Sequence, residues 1–267
     1  MTGTVSTASL VGMVFTIFVS FGLPIAAAIF AKRKLKAKML PILIGAGTFV
    51  VFALILESAL HLTMQNVFGE QLLGNVWFYA LYGGLAAGLF EETGRFLAMK
   101  LLMKKTLCKE NAIMYGVGHG GIESIMVVGL SYISNLILSF MINGGQLEAI
   151  LSGVEEPLRT EVEAQLSTLW TTPALDFYLA GVERAAAFVL QLCLSYLVYR
   201  AVREGKAVFY ILAMTIHFAV DAGTVLLMQV LPIYAVEAIL VVVIVVFLVV
   251  VVKEYKKEAA PVGDGER

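Results

Sequence analysis

The chain has 267 residues, of which 60% are hydrophobic and 15% charged, and its mean hydropathy is +0.88. Soluble domains are about 45–50% apolar and about 25% charged, so this composition excludes a water-soluble globular enzyme and a disordered chain. A formal net charge of −1 supplies no basic field for nucleic acid. Two cysteines exclude a disulfide-built secreted module, and Cys108 and Cys193 are expected to be free thiols. The chain is predicted to be an all-α, polytopic integral membrane protein.

Seven stretches of the chain are long enough to cross a membrane, because a spanning helix needs about 20 mainly apolar residues. In chain order they are residues 9–31, 39–60, 75–103, 112–141, 177–202, 207–230 and 232–252. Together they form one predicted transmembrane domain, residues 1–258, of a multi-pass protein of the cell membrane. Residues 259–267 are predicted to be a disordered cytoplasmic tail.

Lysine and arginine gather in alternate loops between these spans. Basic clusters follow the first, third, fifth and seventh spans, whereas the other loops together hold one basic residue, Arg159. Basic residues accumulate in short cytoplasmic loops. The N-terminus is therefore predicted to lie outside and the C-terminus in the cytoplasm.

The long connection 143–176 is acidic and, by this topology, external. Pro157 sits where a first helical turn tolerates proline, and four apolar residues then fall on one helical stripe: Leu158, Val162, Leu166 and Leu169. We predict an amphipathic segment on the outer face of the membrane. It is either a simple connector or a lid or partner-docking element.

Three predicted spans each carry two ionisable residues four positions apart, which places both on nearly one helical face. The pairs are Glu91 with Arg95 in EETGR, where Glu92 is also present, His119 with Glu123 in HGGIE, and His217 with Asp221 in HFAVD. At about 1.5 Å per residue, all of them lie about 10–21 Å from the cytoplasmic end of their span. Charged side chains in a bilayer are costly unless paired or solvated. We therefore expect them to meet in one buried polar site near mid-membrane.

Three other ionisable residues lie nearer the outer interface. They are Glu57 in the second span and Glu183 and Arg184 in the fifth. A structural ion pair of Arg184 with Glu57 or Glu183 is predicted.

Imidazole and carboxylate side chains are the usual ligands of a catalytic zinc, which keeps one position open for water. A buried glutamate and a histidine can also activate water without a metal. Either scheme predicts a hydrolase that acts on a bond presented inside the membrane. Transporters build similar clusters for proton or cation coupling, so a coupled transporter stays open as an alternative. The chain lacks the matching pair of broken half-helices that is typical of that class.

The ordered motifs EETGR, HGGIE and HFAVD resemble a known superfamily. This is the CAAX-prenyl protease and bacteriocin-processing group of intramembrane proteases, whose pattern is EExxR, a His or Glu motif, and HxxxN or HxxxD. The wording GHGGIE, and GVERAAA around Glu183, resembles most the YhfC family of intramembrane metalloproteases. The matching motifs span residues 91–221.

That resemblance implies an enzyme that hydrolyses peptide bonds in or near the membrane with an activated water that zinc would bind. Glu91 would activate the water, with Glu92 beside it and Arg95 orienting the pair. His119 and His217 would bind the metal or the water, with Glu123 and Asp221 as further metal ligands. The implied partners are a membrane protein or peptide substrate and the lipid bilayer, with no nucleic acid. The sequence leaves the oligomeric state undetermined.

Asp221 takes the place that is often asparagine in the prenyl-protein branch. An asparagine can donate a hydrogen bond to a developing oxyanion, whereas an ionised aspartate cannot. This difference favours a metal-binding or supporting role for Asp221 and argues against CAAX substrates. The superfamily also resembles the multi-span scaffold subunit of γ-secretase, in which similar histidines serve assembly. A catalytically silent scaffold is therefore an alternative.

Overall fold

The computed structural model describes residues 3–69 and 74–258, and the regular elements in these residues are all helical. The all-α prediction is confirmed. Both cysteines are free thiols, as expected. The predicted cytoplasmic tail, residues 259–267, lies outside the described residues.

The helices follow the apolar stretches of the sequence, and short polar connections separate them. In chain order they are α1 (Thr7–Arg33), α2 (Leu40–Phe68), α3 (Val76–Leu97, continued by a π-helical turn over Ala98–Leu102), α4 (Lys109–Asn143), α5 (Leu147–Ser152), α6 (Glu156–Thr171), α7 (Ala174–Glu204), α8 (Ala207–Leu227) and α9 (Ile233–Lys257).

Among the described residues, six helices are long and apolar enough to cross a membrane: α1, α2, α4, α7, α8 and α9. Helix α3 stands where the third span is predicted, but Glu91, Glu92 and Arg95 make it less apolar than these six. The chain is thus a multi-pass membrane protein, as predicted. The count of seven spans and the orientation of the termini stay predictions.

Wide π-helical turns occur at Val50–Glu57 in α2, Ala98–Leu102 after α3 and Ser124–Gly129 in α4. Each turn borders an ionisable residue that the sequence singles out, since Glu57 ends the first, Arg95 precedes the second and Glu123 precedes the third. Such turns occur frequently at functional sites. These turns lie in α2, after α3 and in α4, whereas α8 is a regular α-helix.

The chain divides into two compact units. The first unit contains the residues up to Leu23 and Ser124–Ala185. Within it, the Thr16 hydroxyl donates a 2.6 Å hydrogen bond to the Phe177 carbonyl. Its apolar core consists of Val5, Met13, Ile142, Leu147, Leu151, Leu166, Leu169 and Phe177.

Helices α5 and α6 of this first unit lie in the connection 143–176. Pro157 is in the first turn of α6, where its missing N–H removes no helical hydrogen bond. Leu166 and Leu169 are buried, whereas Leu158 is 52% exposed. The position of this segment on the outer membrane face stays a prediction.

The second unit contains Pro24–Glu123 and the residues from Ala186 onward. Here α2 packs on α4, and α3 packs on α8. Both contacts bring helix backbones together. A Cβ at Gly84 of α3 would lie 2.9 Å from the Phe218 carbonyl oxygen of α8, and one at Gly118 of α4 would collide with the Ile42 carbonyl of α2. Glycine therefore allows the close packing that positions the polar side chains of α3, α4 and α8.

Candidate functional site

Three helices of the second unit supply the predicted site residues. Burial is nearly complete for most of them, since Glu92, Arg95 and His119 are 0% exposed and His217 is 3% exposed. The set is Glu91, Glu92 and Arg95 on α3, His119 and Glu123 on α4, and His217 and Asp221 on α8.

The adjacent glutamates of α3 contact different histidines. Glu91 Oε2 lies 2.8 Å from His119 Nε2, whereas Glu92 Oε1 lies 2.9 Å from His217 Nδ1. Consecutive residues of an α-helix project about 100° apart, so two neighbouring side chains meet two different helices. The structure therefore contains two histidine–glutamate pairs, one with α4 and one with α8.

Arg95 lies between the two pairs. Its Nη2 is 3.9 Å from Glu91 Oε2, and its Nε is 3.3 Å from Glu92 Oε2. Its Nη1 donates 2.9 Å hydrogen bonds to the Gln191 carbonyl and the Ser195 hydroxyl of α7. A buried charge is tolerated when it is paired and hydrogen-bonded, and Arg95 meets both conditions.

The Gln191 side chain connects this arginine to two carboxylates. Its Oε1 accepts a hydrogen bond from Arg95 Nη2, and its Nε2 donates to Glu91 Oε2 at 3.1 Å and to Glu123 Oε2 at 2.8 Å. Because arginine has donors and no acceptor, Arg95 fixes which end of the amide faces the carboxylates. The Gln191 amide thus donates hydrogen bonds to two carboxylates from different helices, Glu91 of α3 and Glu123 of α4.

Sequence reasoning missed Gln191, Ser195 and His61. Gln191 and Ser195 are four positions apart in the apolar run of α7, the same spacing as in the ionisable pairs, but they carry no charge and did not stand out. His61 Nδ1 lies 2.8 Å from the Tyr82 hydroxyl, and its Nε2 lies 3.2 Å from Glu57 Oε1. His61 lies four positions after Glu57, and this spacing is the sequence feature that could have identified it.

A possible metal centre is formed by Glu91, His119 and Glu123. One ligand atom of each lies within 4.8 Å of the others. His119 Nδ1 is buried, and within the described ranges 3–69 and 74–258 it has no hydrogen-bond partner. The nitrogen that contacts Glu91 is the other one, Nε2. One imidazole and two carboxylates are a donor set that suits zinc, so these residues fit a metal ion.

The other predicted ligands, His217 and Asp221, lie with Glu92. His217 Nε2 is 3.6 Å from Asp221 Oδ2, so both ring nitrogens of His217 face carboxylates. The Asp221 side chain is 37% exposed, in contrast to Glu92 at 0%. Glu91 thus contacts His119 and shares the Gln191 amide with Glu123, while Glu92 contacts His217, whose other ring nitrogen faces Asp221.

Glu57 is buried at 8% exposure and pairs with His61. Glu183 and Arg184 belong to the first unit, and the predicted structural ion pair stays a prediction.

Known proteins resemble this chain over most of its length. Residues 19–250 match the family described as YhfC intramembrane metalloprotease. The chain is 36% identical over 212 residues to the "Uncharacterized membrane protein YhfC" of Bacillus subtilis (strain 168), a match that covers 78% of this chain and 81% of that relative. No solved structure matches it. The extent of both matches shows that the chain belongs to the YhfC family.

Proposed function

We propose that the chain is an intramembrane metallopeptidase whose metal ion, zinc, is held by Glu91, His119 and Glu123. The observation that carries this proposal is the convergence of their ligand atoms within 4.8 Å. The family description as an intramembrane metalloprotease supports it. The proposed substrate is a peptide bond of a membrane protein or peptide, in or near the bilayer.

The chain's own residues prepare this centre. Gln191 donates to both carboxylates, and Arg95 orients the Gln191 amide. Glu91, His119 and Glu123 would hold the zinc ion, which would supply Lewis-acid activation of a water for attack on a carbonyl at neutral pH. The burial of His119 and Glu91 excludes bulk water, which strengthens each electrostatic contact there.

The second pair, Glu92 and His217, is proposed to move the proton. Glu92 Oε1 lies 2.9 Å from His217 Nδ1, while Asp221 faces the other ring nitrogen. Arg95 Nε lies 3.3 Å from Glu92 Oε2 and orients that carboxylate. Such a pair takes a proton from water and returns it to the leaving amine.

This assignment differs from the roles that the family resemblance implies. There Glu91 activates the water, whereas here it is a metal ligand. The 2.8 Å contact between Glu91 and His119 also favours a second candidate, a metal-free glutamate hydrolase in which these two residues form the base.

We also propose that the family lies within the CAAX-prenyl protease and bacteriocin-processing superfamily. The order and spacing of EETGR, HGGIE and HFAVD support this placement.

The deciding experiment measures metal stoichiometry by mass spectrometry on detergent-purified protein. Wild type is compared with His119→Ala, Glu91→Gln and the control Glu57→Gln, a buried carboxylate outside the ligand group. We expect about one zinc per chain in wild type and in the control, and loss of zinc in the two ligand variants. Cleavage is followed in parallel, by sequencing the new N-terminal peptides that appear in membranes containing each variant.

Each other outcome selects a different function. Zinc retained by Glu91→Gln together with lost cleavage would return water activation to Glu91. Cleavage by metal-free wild type would support the glutamate hydrolase. Stoichiometric zinc without any new peptide ends would contradict the peptidase and leave a metal-binding scaffold.

A further inference from the structure

The second unit contains a cavity of about 320 Å³ between α2, α3 and α8. Its lining combines apolar surface with polar and aromatic side chains, among them His61, Gln65, Tyr79, Tyr82 and Asp221. The proposed function gives this cavity no role.

A chain of contacts leads from this cavity to the candidate site. Asp221 lines the cavity, and its Oδ2 is 3.6 Å from His217 Nε2. His217 in turn contacts Glu92, which is next to the proposed ligand Glu91. A group that fills the cavity is therefore separated from the proposed proton-transfer pair by one side chain, Asp221.

The acidic residue that lines the cavity is Asp221, whose side chain is 37% exposed and whose Oδ2 faces His217 Nε2. The described residues that line the cavity include no lysine or arginine. His61 contacts Glu57 through Nε2 and the Tyr82 hydroxyl through Nδ1, so both of its nitrogens are already engaged with the protein.

We infer that this cavity is a subsite that binds a lysine or arginine side chain of the peptide to be cleaved, an inference that rests on the proposed function. Asp221 supplies the counter-charge, and a charge-assisted bond to it is stronger than a neutral one. Tyr79 and Tyr82 supply aromatic walls of the kind that attract cations. The cavity has space for such a side chain beside Gly83, because a Cβ added at this glycine would lie more than 4 Å from any neighbouring atom.

The test measures binding of two small probes to the purified full-length chain in detergent. The probes are N-acetyl-arginine methylamide and N-acetyl-citrulline methylamide, which have nearly the same shape and differ in charge. Wild type is expected to bind the arginine amide about 10-fold more tightly, as one charge-assisted bond would give. Asp221→Asn is expected to bind both amides equally and to unfold thermally like wild type.

A pair of glycine variants tests the location. Gly83→Leu fills the cavity and should abolish binding of both amides. Gly47→Leu is the matched control, because Gly47 has equally open space and lines a different groove. Its binding should match wild type.

The outcomes separate this inference from the proposed function. Equal binding of the two amides by wild type, or a preference that survives in Asp221→Asn, would overturn the subsite even if the chain cleaves peptides. Asp221-dependent binding in a chain that cleaves nothing would leave the cationic site standing without the peptidase.

Discussion

The two histidine–glutamate pairs begin at neighbouring residues of one helix, yet their surroundings differ. Glu91 contacts His119 and shares the Gln191 amide with Glu123. One side-chain oxygen or nitrogen atom of each of these three residues lies within 4.8 Å of the others. Glu92 meets His217, whose other nitrogen faces Asp221 and, through it, the cavity.

Adjacent glutamates of one helix thus have different hydrogen-bond partners, and the chemistry proposed for each follows from those partners. Two carboxylates and an imidazole in a shared buried space favour a cation. His217 has a carboxylate near each ring nitrogen, and the proposed function uses this pair for proton transfer. We therefore expect substitutions in the two pairs to have separable effects, and Arg95 to affect both.

Replacement of Arg95 should have the largest effect. Arg95→Leu leaves two buried carboxylates without their cation and should lower the free energy of unfolding by about 3–5 kcal/mol. Thermal unfolding in detergent measures it. Arg95→Lys keeps the charge and loses the planar guanidinium group, so its free energy of unfolding should lie between those of wild type and Arg95→Leu. An Arg95→Leu protein that melts like wild type would contradict the bridging role.

The histidines should separate metal binding from proton transfer. His119→Gln is expected to lose both metal and cleavage. His217→Gln should keep about one metal per chain and slow cleavage by about 10²–10⁴-fold, the usual contribution of a general acid–base group. Metal analysis and a cleavage assay on the same preparations measure both effects. Loss of metal in both variants would instead indicate one site with ligands from both pairs.

Gln191 should act mainly on the Glu91 side of the comparison, because its amide donates to Glu91 and Glu123. Gln191→Leu removes the amide that holds both carboxylates, and metal affinity should fall by about 10–100-fold, as is typical for groups that orient ligands. Competition with a chelator measures the affinity. The control is Ser195→Ala, because Ser195 contacts Arg95 and neither carboxylate. Equal affinity in the two variants would exclude Gln191 as a positioning residue.

The smallest effect is expected at the contact between α3 and α8. Gly84→Ala forces a methyl group toward the Phe218 carbonyl and should cost about 1–3 kcal/mol of stability while metal content stays unchanged. Gly83→Ala is its neighbour with open space and should melt within about 0.5 kcal/mol of wild type. Unfolding curves of the two variants settle the comparison, and a destabilised Gly83→Ala would argue against a local clash as the cause.

Hydropathy alone predicted an all-α, multi-pass membrane protein, because it is read along the chain and does not depend on tertiary contacts. The sequence also singled out Glu91, Arg95, His119 and His217, because charged side chains stand out in an apolar helix and their spacing of four shows a shared face. The neutral residues Gln191 and Ser195 did not stand out, because polarity without charge is common in such helices.

The pairing of each glutamate with its histidine could be read only from the tertiary structure. Residues 91 and 92 project about 100° apart, so their partners depend on which helix lies on each side of α3. Those neighbours depend on close backbone contacts at Gly84, which faces the Phe218 carbonyl of α8, and at Gly118, which faces the Ile42 carbonyl of α2. Spacing along one helix predicts a shared face, whereas the partners that each face contacts follow from how separate helices pack.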